Sequence, residues 1–269
     1  MIDLDIPIPK CHYYVKDGQT CIKLPAEHQR SGQYGALCLE RIQPVPPAVC
    51  NALIDMFCPD EVKEYARSHS SHKNCLLQVY LGRWRPNIPP SVHPKQAFHI
   101  NNHRLYVGQL EEDLALRNWV NWEIAAPMAR TLAFLHWRVR IDAAGIKCVL
   151  GATNKNTSPK PDRCVQLWIF GFDRCRTITA DASGVERAVA AYLGNDPYFP
   201  RPPRVDDAAL LGKEWKGALL GKVDWDNFVA IYENCSCLWL PPHKWGLAKL
   251  FTMRVEGELK LRTHTCRRT

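Results

Sequence analysis

Metal binding is the first chemistry that the residue types allow. His69-x-x-His72-x-x-Cys75 offers three ligand side chains within seven residues, and Cys235-x-Cys237 followed by His243 offers three more. A structural zinc takes four such ligands, commonly a closely spaced Cys pair joined to a closely spaced His pair. Neither segment reaches that arrangement. Cys75 opens the apolar run Cys75-Leu76-Leu77-Gln78-Val79-Tyr80-Leu81, and Cys237 precedes Leu238-Trp239-Leu240, so both thiols read as core. Polyanion binding is the second chemistry. The dense basic run is Arg262 to Arg268, where no aromatic side chain supplies base stacking. No recognition helix is legible either. No metal site is expected, and zinc-dependent nucleic-acid binding stands as an alternative reading only.

Around these residues the elements can be placed by periodicity. Cys21-Ile22-Lys23-Leu24 and Ala36-Leu37-Cys38-Leu39 read as short strands separated by polar, Gly-containing sequence. Pro46 to Phe57 reads as a helix, with prolines in its first turn and Val49, Leu53, Ile54 and Phe57 on one face. The run from Cys75 to Leu81 is a strand closed by Gly82. From Trp119 to His136 a second helix carries Ile124, Met128, Leu132 and Leu135 on one stripe. Pro127 should kink that helix or end its first turn. Cys148-Val149-Leu150 and Val165 to Phe170 form a hairpin around a long polar loop, Thr153 to Asp162. Val185 to Leu193 and Trp225 to Tyr232 read as further helices. The order of strands, long helix, hairpin and helices is α+β.

Composition excludes several classes. The chain has 269 residues and is 46% hydrophobic, so it can bury a full core and is not a disordered segment. No run approaches the roughly 18 apolar residues of a membrane span. Met1-Ile2-Asp3-Leu4-Asp5 carries acids where a secretory signal needs a basic region, so a membrane partner and secretion are not expected. Twelve cysteines are too sparse for a disulfide scaffold of this length, which favours cytoplasm or nucleus. A net charge of +8 permits an anionic partner without specifying one.

From Ala125 to Asp173 the order is helix, Leu135-His136, a turn holding Asp142, and a hairpin ending in Gly171-Phe172-Asp173. This order resembles the catalytic core of kinase-like folds, where a helix ending in Leu-His leads to a loop bearing a catalytic Asp. The hairpin that follows there ends in an Asp on Mg²⁺. Phosphoryl transfer needs one carboxylate near the attacking hydroxyl and another on the metal. The resemblance implies Asp142 as the catalytic carboxylate and Asp173 as the cofactor-binding one.

Several phrases resemble a particular family, the fungal DUF3669 proteins, often labelled zinc finger protein. They are Leu39-Glu40-Arg41-Ile42 with Pro44-Val45-Pro46, Leu81-Gly82-Arg83, His103 through Asn118-Trp119, and Leu135-His136-Trp137. Phe172-Asp173-Arg174-Cys175 and Gly184 to Val189 continue the likeness, and Asn195-Asp196-Pro197-Tyr198-Phe199-Pro200-Arg201-Pro202 is its most specific part. In kinase terms Leu39 to Pro46 would be the hinge between lobes. The chain departs from the family's acidic pattern at Gly145, Lys147 and Gly171. Gly171 has no side chain for Mg²⁺. Asp173 would share its face and partly compensate if the strand continued.

The resemblance implies a single domain over 1–269. It would comprise a small strand-rich part at 1–42 and a mostly helical kinase-like part at 43–269. A complete kinase N-lobe takes roughly 70 residues or more. Only 38 precede Leu39, and they hold no Gly-x-Gly-x-x-Gly loop and no Val-Ala-x-Lys strand. The expected function is therefore a non-catalytic, pseudokinase-like binding or accessory protein of a fungal cell, linked to secondary metabolism. It would need no cofactor, and its partner would be an unidentified protein or small molecule rather than nucleic acid. The alternative is a divergent ATP-dependent phosphotransferase using ATP and Mg. Each candidate also has a structural reading: Asp142 as a turn or cap residue, His136 as a helix C-cap, and Tyr198 and Phe199 as anchors of their loop.

Overall fold

The computed structural model describes residues 6–15, 36–68, 74–84, 103–153, 163–202 and 216–266. The expected strand at Cys21 to Leu24 lies outside them, as do His69 and His72. Strands β1 (Cys11–Val15) and β2 (Ala36–Leu39) pair antiparallel. An extended segment then leads to α1 (Pro47–Phe57), which has proline at its start and buries Cys50, Leu53 and Ile54. A short helix, α2 (Lys63–Ser68), follows.

The main sheet has four strands in the order β4-β3-β5-β6. β3 (Leu77–Tyr80) runs parallel to β4 (Arg104–Tyr106) and antiparallel to β5 (Lys147–Ala152). β5 forms the expected hairpin with β6 (Val165–Phe170), in register from Lys147↔Phe170 to Ala152↔Val165. β4 was not legible, because three residues are too few to show alternation.

Between β4 and β5 a helical rod spans 117–139. Its centre is α3 (Ala126–Phe134), preceded by a π-helical stretch (Val120–Ala125) and followed by another (Leu135–Val139). Pro127 stands in the first turn of α3, just after the first π stretch. The wider turn removes the clash that a proline ring makes with the carbonyl four residues back. The rod ends where Arg140 turns left-handed at φ 66°.

The remaining helices form a second layer. α4 (Ala182–Gly194) is capped by Asp181, whose carboxylate accepts from Gly184 N at 2.9 Å. α5 (Lys216–Ser236) packs against α3, and α6 (Gly246–Cys266) packs against α4. Trp137, Trp225, Phe228, Tyr232 and Phe251 fill the space between layers, all under 3% exposed. Each contributes about 2–3 kcal/mol by leaving water. The architecture is α+β.

Candidate functional site

The turn after the helical rod is built from both ends. Arg140, Ala143 and Gly145 all have positive φ, which folds 140–145 into a compact loop. That loop lies antiparallel to 175–178. Ile141 bridges Thr177, Ile178 N donates to Arg140 O at 2.9 Å, and Asp142 N donates to Arg176 O at 2.9 Å. The Asp142 carboxylate is 6% exposed. Its Oδ1 accepts from Ala144 N at 3.0 Å and Arg176 N at 2.9 Å. The first bond is an Asx turn, the local geometry that Asp and Asn favour over Ala. Asp142 is thus the pin that fastens two loops.

Asp173 takes a different place from the one strand alternation implies. β6 stops at Phe170, and Gly171 turns left-handed at φ 86° into a 3₁₀ turn, Phe172–Arg174. The face that Gly171 and Asp173 would share in a continuing strand therefore does not exist. Asp173 is exposed on that turn. A Cβ on Gly171 would come within 2.8 Å of the Gly145 carbonyl oxygen, so the two glycines let hairpin and loop meet.

The structure nevertheless brings both carboxylates to one neighbourhood, reported by Cys175. Its thiol donates to Ala144 O at 3.3 Å, and its pKa is pushed up to about 11. Burial is the main cause, followed by the negative charges of Asp142 and Asp173. His136 is fully buried, with Nδ1 2.9 Å from the Tyr232 hydroxyl, rather than capping the helix in solvent. Burial lowers its pKa to about 3, partly offset by the backbone of Asp142. It is a neutral core imidazole.

Asn195 is the residue that sequence reasoning missed in this role. Its Oδ1 accepts from Gly145 N at 2.7 Å and its Nδ2 donates to Ala143 O at 2.9 Å. One amide thereby clamps the loop that holds Asp142, from 50 residues downstream. The signal was present, since Asn195 opens the Asn195–Pro202 phrase, but an isolated Asn before Asp-Pro reads as a turn former. Phe199 stacks on Tyr192 at 5.5 Å, anchoring the loop to α4. Tyr198 instead packs edge-on to Tyr80 of β3 at 5.1 Å, while Leu81 N donates to Tyr198 O at 3.1 Å. The loop therefore joins sheet to helices.

Two cavities among the described residues lie against the extended segment after β2. A cavity of about 310 Å³ is walled by Pro9, Leu39, Ile42, Pro44, Leu76 and Phe170. A neighbour of about 390 Å³ includes His12, Gln43, Thr153 and Trp168. Glu40 and Arg41 border both. Neither Asp142 nor Asp173 lines either cavity. The segment is held by Ala152 N to Gln43 O at 2.9 Å and by Arg41 to Asn74 Oδ1 at 2.6 Å.

These elements run from β6 through the 3₁₀ turn, α4 and the Asn195 loop to the end of α5. Residues 167–237 match the model of the family DUF3669, described as zinc finger protein. No curated protein and no solved structure matches the chain. The matched segment holds Cys175, Cys235 and Cys237 and no histidine. Cys175 faces the Ala144 carbonyl, and Cys237 donates to Glu233 O at 3.4 Å within its own helix end. No group of three or more metal-capable side chains occurs among the described residues. The zinc ligand set that the family description implies does not fit these side chains.

Proposed function

We propose that the chain is a non-catalytic, pseudokinase-like binding or accessory protein. One observation carries this reading: an oxygen of the Asp142 carboxylate is spent on two backbone amides that fasten the 140–145 loop. Asp142 is 6% exposed, so its second carboxylate oxygen has little access to a substrate, whereas a catalytic base needs a lone pair aimed at the proton it takes. The apolar cavity beside Leu39, Ile42 and Pro44 has the volume of a small organic ligand's site and is bordered by the polar groups of Glu40 and Arg41. Ligand binding without turnover at that cavity accords with neither carboxylate lining it. The setting, cytoplasm or nucleus of a fungal cell, and the link to secondary metabolism belong to the same proposal and rest on the family resemblance.

A divergent phosphotransferase is the second reading, favoured by the Asp142 carboxylate binding Arg176 N, three residues after Asp173. In it Asp142 would act as base and Asp173 would hold Mg with ATP. Thermal unfolding with millimolar Mg-ATP separates the two. A site with a Kd near 10 µM would stabilise the fold by about 2.7 kcal/mol at 1 mM nucleotide. An unchanged melting temperature supports the binding protein. A rise that Asp173→Ala abolishes overturns it in favour of the phosphotransferase.

A further inference from the structure

Read linearly, the chain has one dense basic run, at its C-terminal end. The fold assembles another from residues far apart in sequence. The loop that ends the helical rod, 138–145, and the stretch 173–179 are bound to each other through Ile141↔Thr177 and the Asp142–Arg176 bonds. Together they carry Arg138, Arg140, Arg174 and Arg176. Arg187 reaches in from α4, with Nη1 3.5 Å from Thr177 O, and Lys244 reaches in with Nζ 3.0 Å from Ala180 O. The carboxylates in the same stretch are Asp142, already committed to backbone amides, the exposed Asp173, and Asp181, the cap of α4.

Most of these cations have no carboxylate partner among the described residues. Among the described residues no salt bridge involves Arg138, Arg140, Arg174, Arg176 or Arg187. Arg140 goes further: its Nη1 is buried and has no hydrogen-bond partner among the described residues. That nitrogen is withdrawn from water without an acceptor, which costs free energy, and the guanidinium groups that an incoming oxyanion can reach are the exposed ones of Arg138, Arg174, Arg176 and Arg187. The C-terminal end of the helical rod accounts for Arg138 and Arg140, since cations are stabilised there. It does not account for Arg174, Arg176 and Arg187, which stand on other elements.

We infer that this ribbon is a docking surface for an acidic polypeptide segment, one rich in Asp and Glu. Deepening the binding-protein reading, on which it rests, this assigns the partner's class. Charge complementarity selects an anionic partner. Two features select polypeptide over nucleic acid. Neither segment contains an aromatic residue, so no base could stack on the ribbon. Val139 stands 44% exposed among the arginines, an apolar contact suited to a side chain of an acidic peptide. Planar guanidinium forks match carboxylate oxygens two at a time.

Fluorescence anisotropy of a labelled ten-residue peptide alternating Glu with Leu, titrated with the full chain, tests the inference. The expected result is saturable binding that weakens as salt rises, and a loss of about tenfold or more in Arg174→Glu/Arg176→Glu. Lys10→Glu/Lys249→Glu, which changes net charge equally at exposed positions off the ribbon, should stay within about twofold. Should the first pair unfold the chain, Arg138→Gln/Arg187→Gln serves instead, with a loss of about threefold or more expected. No binding at low salt, or equal losses in ribbon and control variants, overturns the inference. So does a ten-nucleotide single strand that binds more tightly than the peptide. Failure here with an unchanged Mg-ATP melting temperature leaves the binding-protein reading standing. A nucleotide-dependent rise abolished by Asp173→Ala removes that reading whatever the peptide does.

Discussion

Replacing Asn195 with Ala removes the clamp on the Asp142 loop without touching Asp142. Two hydrogen bonds go, at 2.7 Å from Gly145 N and 2.9 Å to Ala143 O. Each contributes about 1 kcal/mol net, and leaving a half-buried amide and a buried residue's carbonyl without partners adds about 1 kcal/mol more. The variant should therefore lose about 2–3 kcal/mol. For a chain of this size that lowers the melting temperature by roughly 4–12 °C. Urea unfolding followed by tryptophan fluorescence should show a lower midpoint at an unchanged slope. Asn195→Asp gives a second reading of the same geometry. It keeps the acceptor for Gly145 N but sets a carboxylate oxygen against the Ala143 carbonyl. That repulsion raises the new carboxyl's pKa in the folded state, so the deficit should shrink as pH falls from 7 toward about 4. A loss below about 0.5 kcal/mol for Asn195→Ala would refute the clamp, because an exposed residue without such bonds behaves that way.

Gly171→Ala should cost about 2 kcal/mol or more, combining left-handed strain at φ 86° with a Cβ 2.8 Å from Gly145 O; an unchanged urea midpoint would contradict this. Asp142→Asn keeps the Oδ1 acceptor for both backbone amides and should cost about 1 kcal/mol, whereas Asp142→Ala should cost about 2–3 kcal/mol. Equal losses in the two variants would argue against the Asx turn. His136 titrates near 3 in the folded chain and near 6.5 when unfolded, so the unfolded chain binds a proton that the folded one refuses. Its contribution is complete above about pH 6.5 and declines by about 1.4 kcal/mol per pH unit as pH falls toward 3. The stability difference between the natural chain and His136→Gln should therefore depend on pH between 7 and 5, and a constant difference would exclude a buried neutral imidazole.

Local pattern was enough for α1, β3, the β5–β6 hairpin, α4 and the centre of α5, because amphipathic spacing and proline position act within a dozen residues. It also placed Asp142 in a turn after a helix. α6 carries a readable stripe, Ala248, Phe251, Val255 and Leu259, yet its high share of polar residues masks it. What only the tertiary structure decided is who meets whom. Asn195 reaches back 50 residues to the Asp142 loop, and Gly171 turns left-handed with the Gly145 carbonyl standing where a Cβ would go. Asp173 leaves its strand face, and arginines from 138, 140, 174, 176 and 187 gather on one ribbon. Periodicity records which side of an element avoids water. It carries no information about the partner across a loop, since that choice is set by long-range packing and by hydrogen bonds that exist only once the chain has closed.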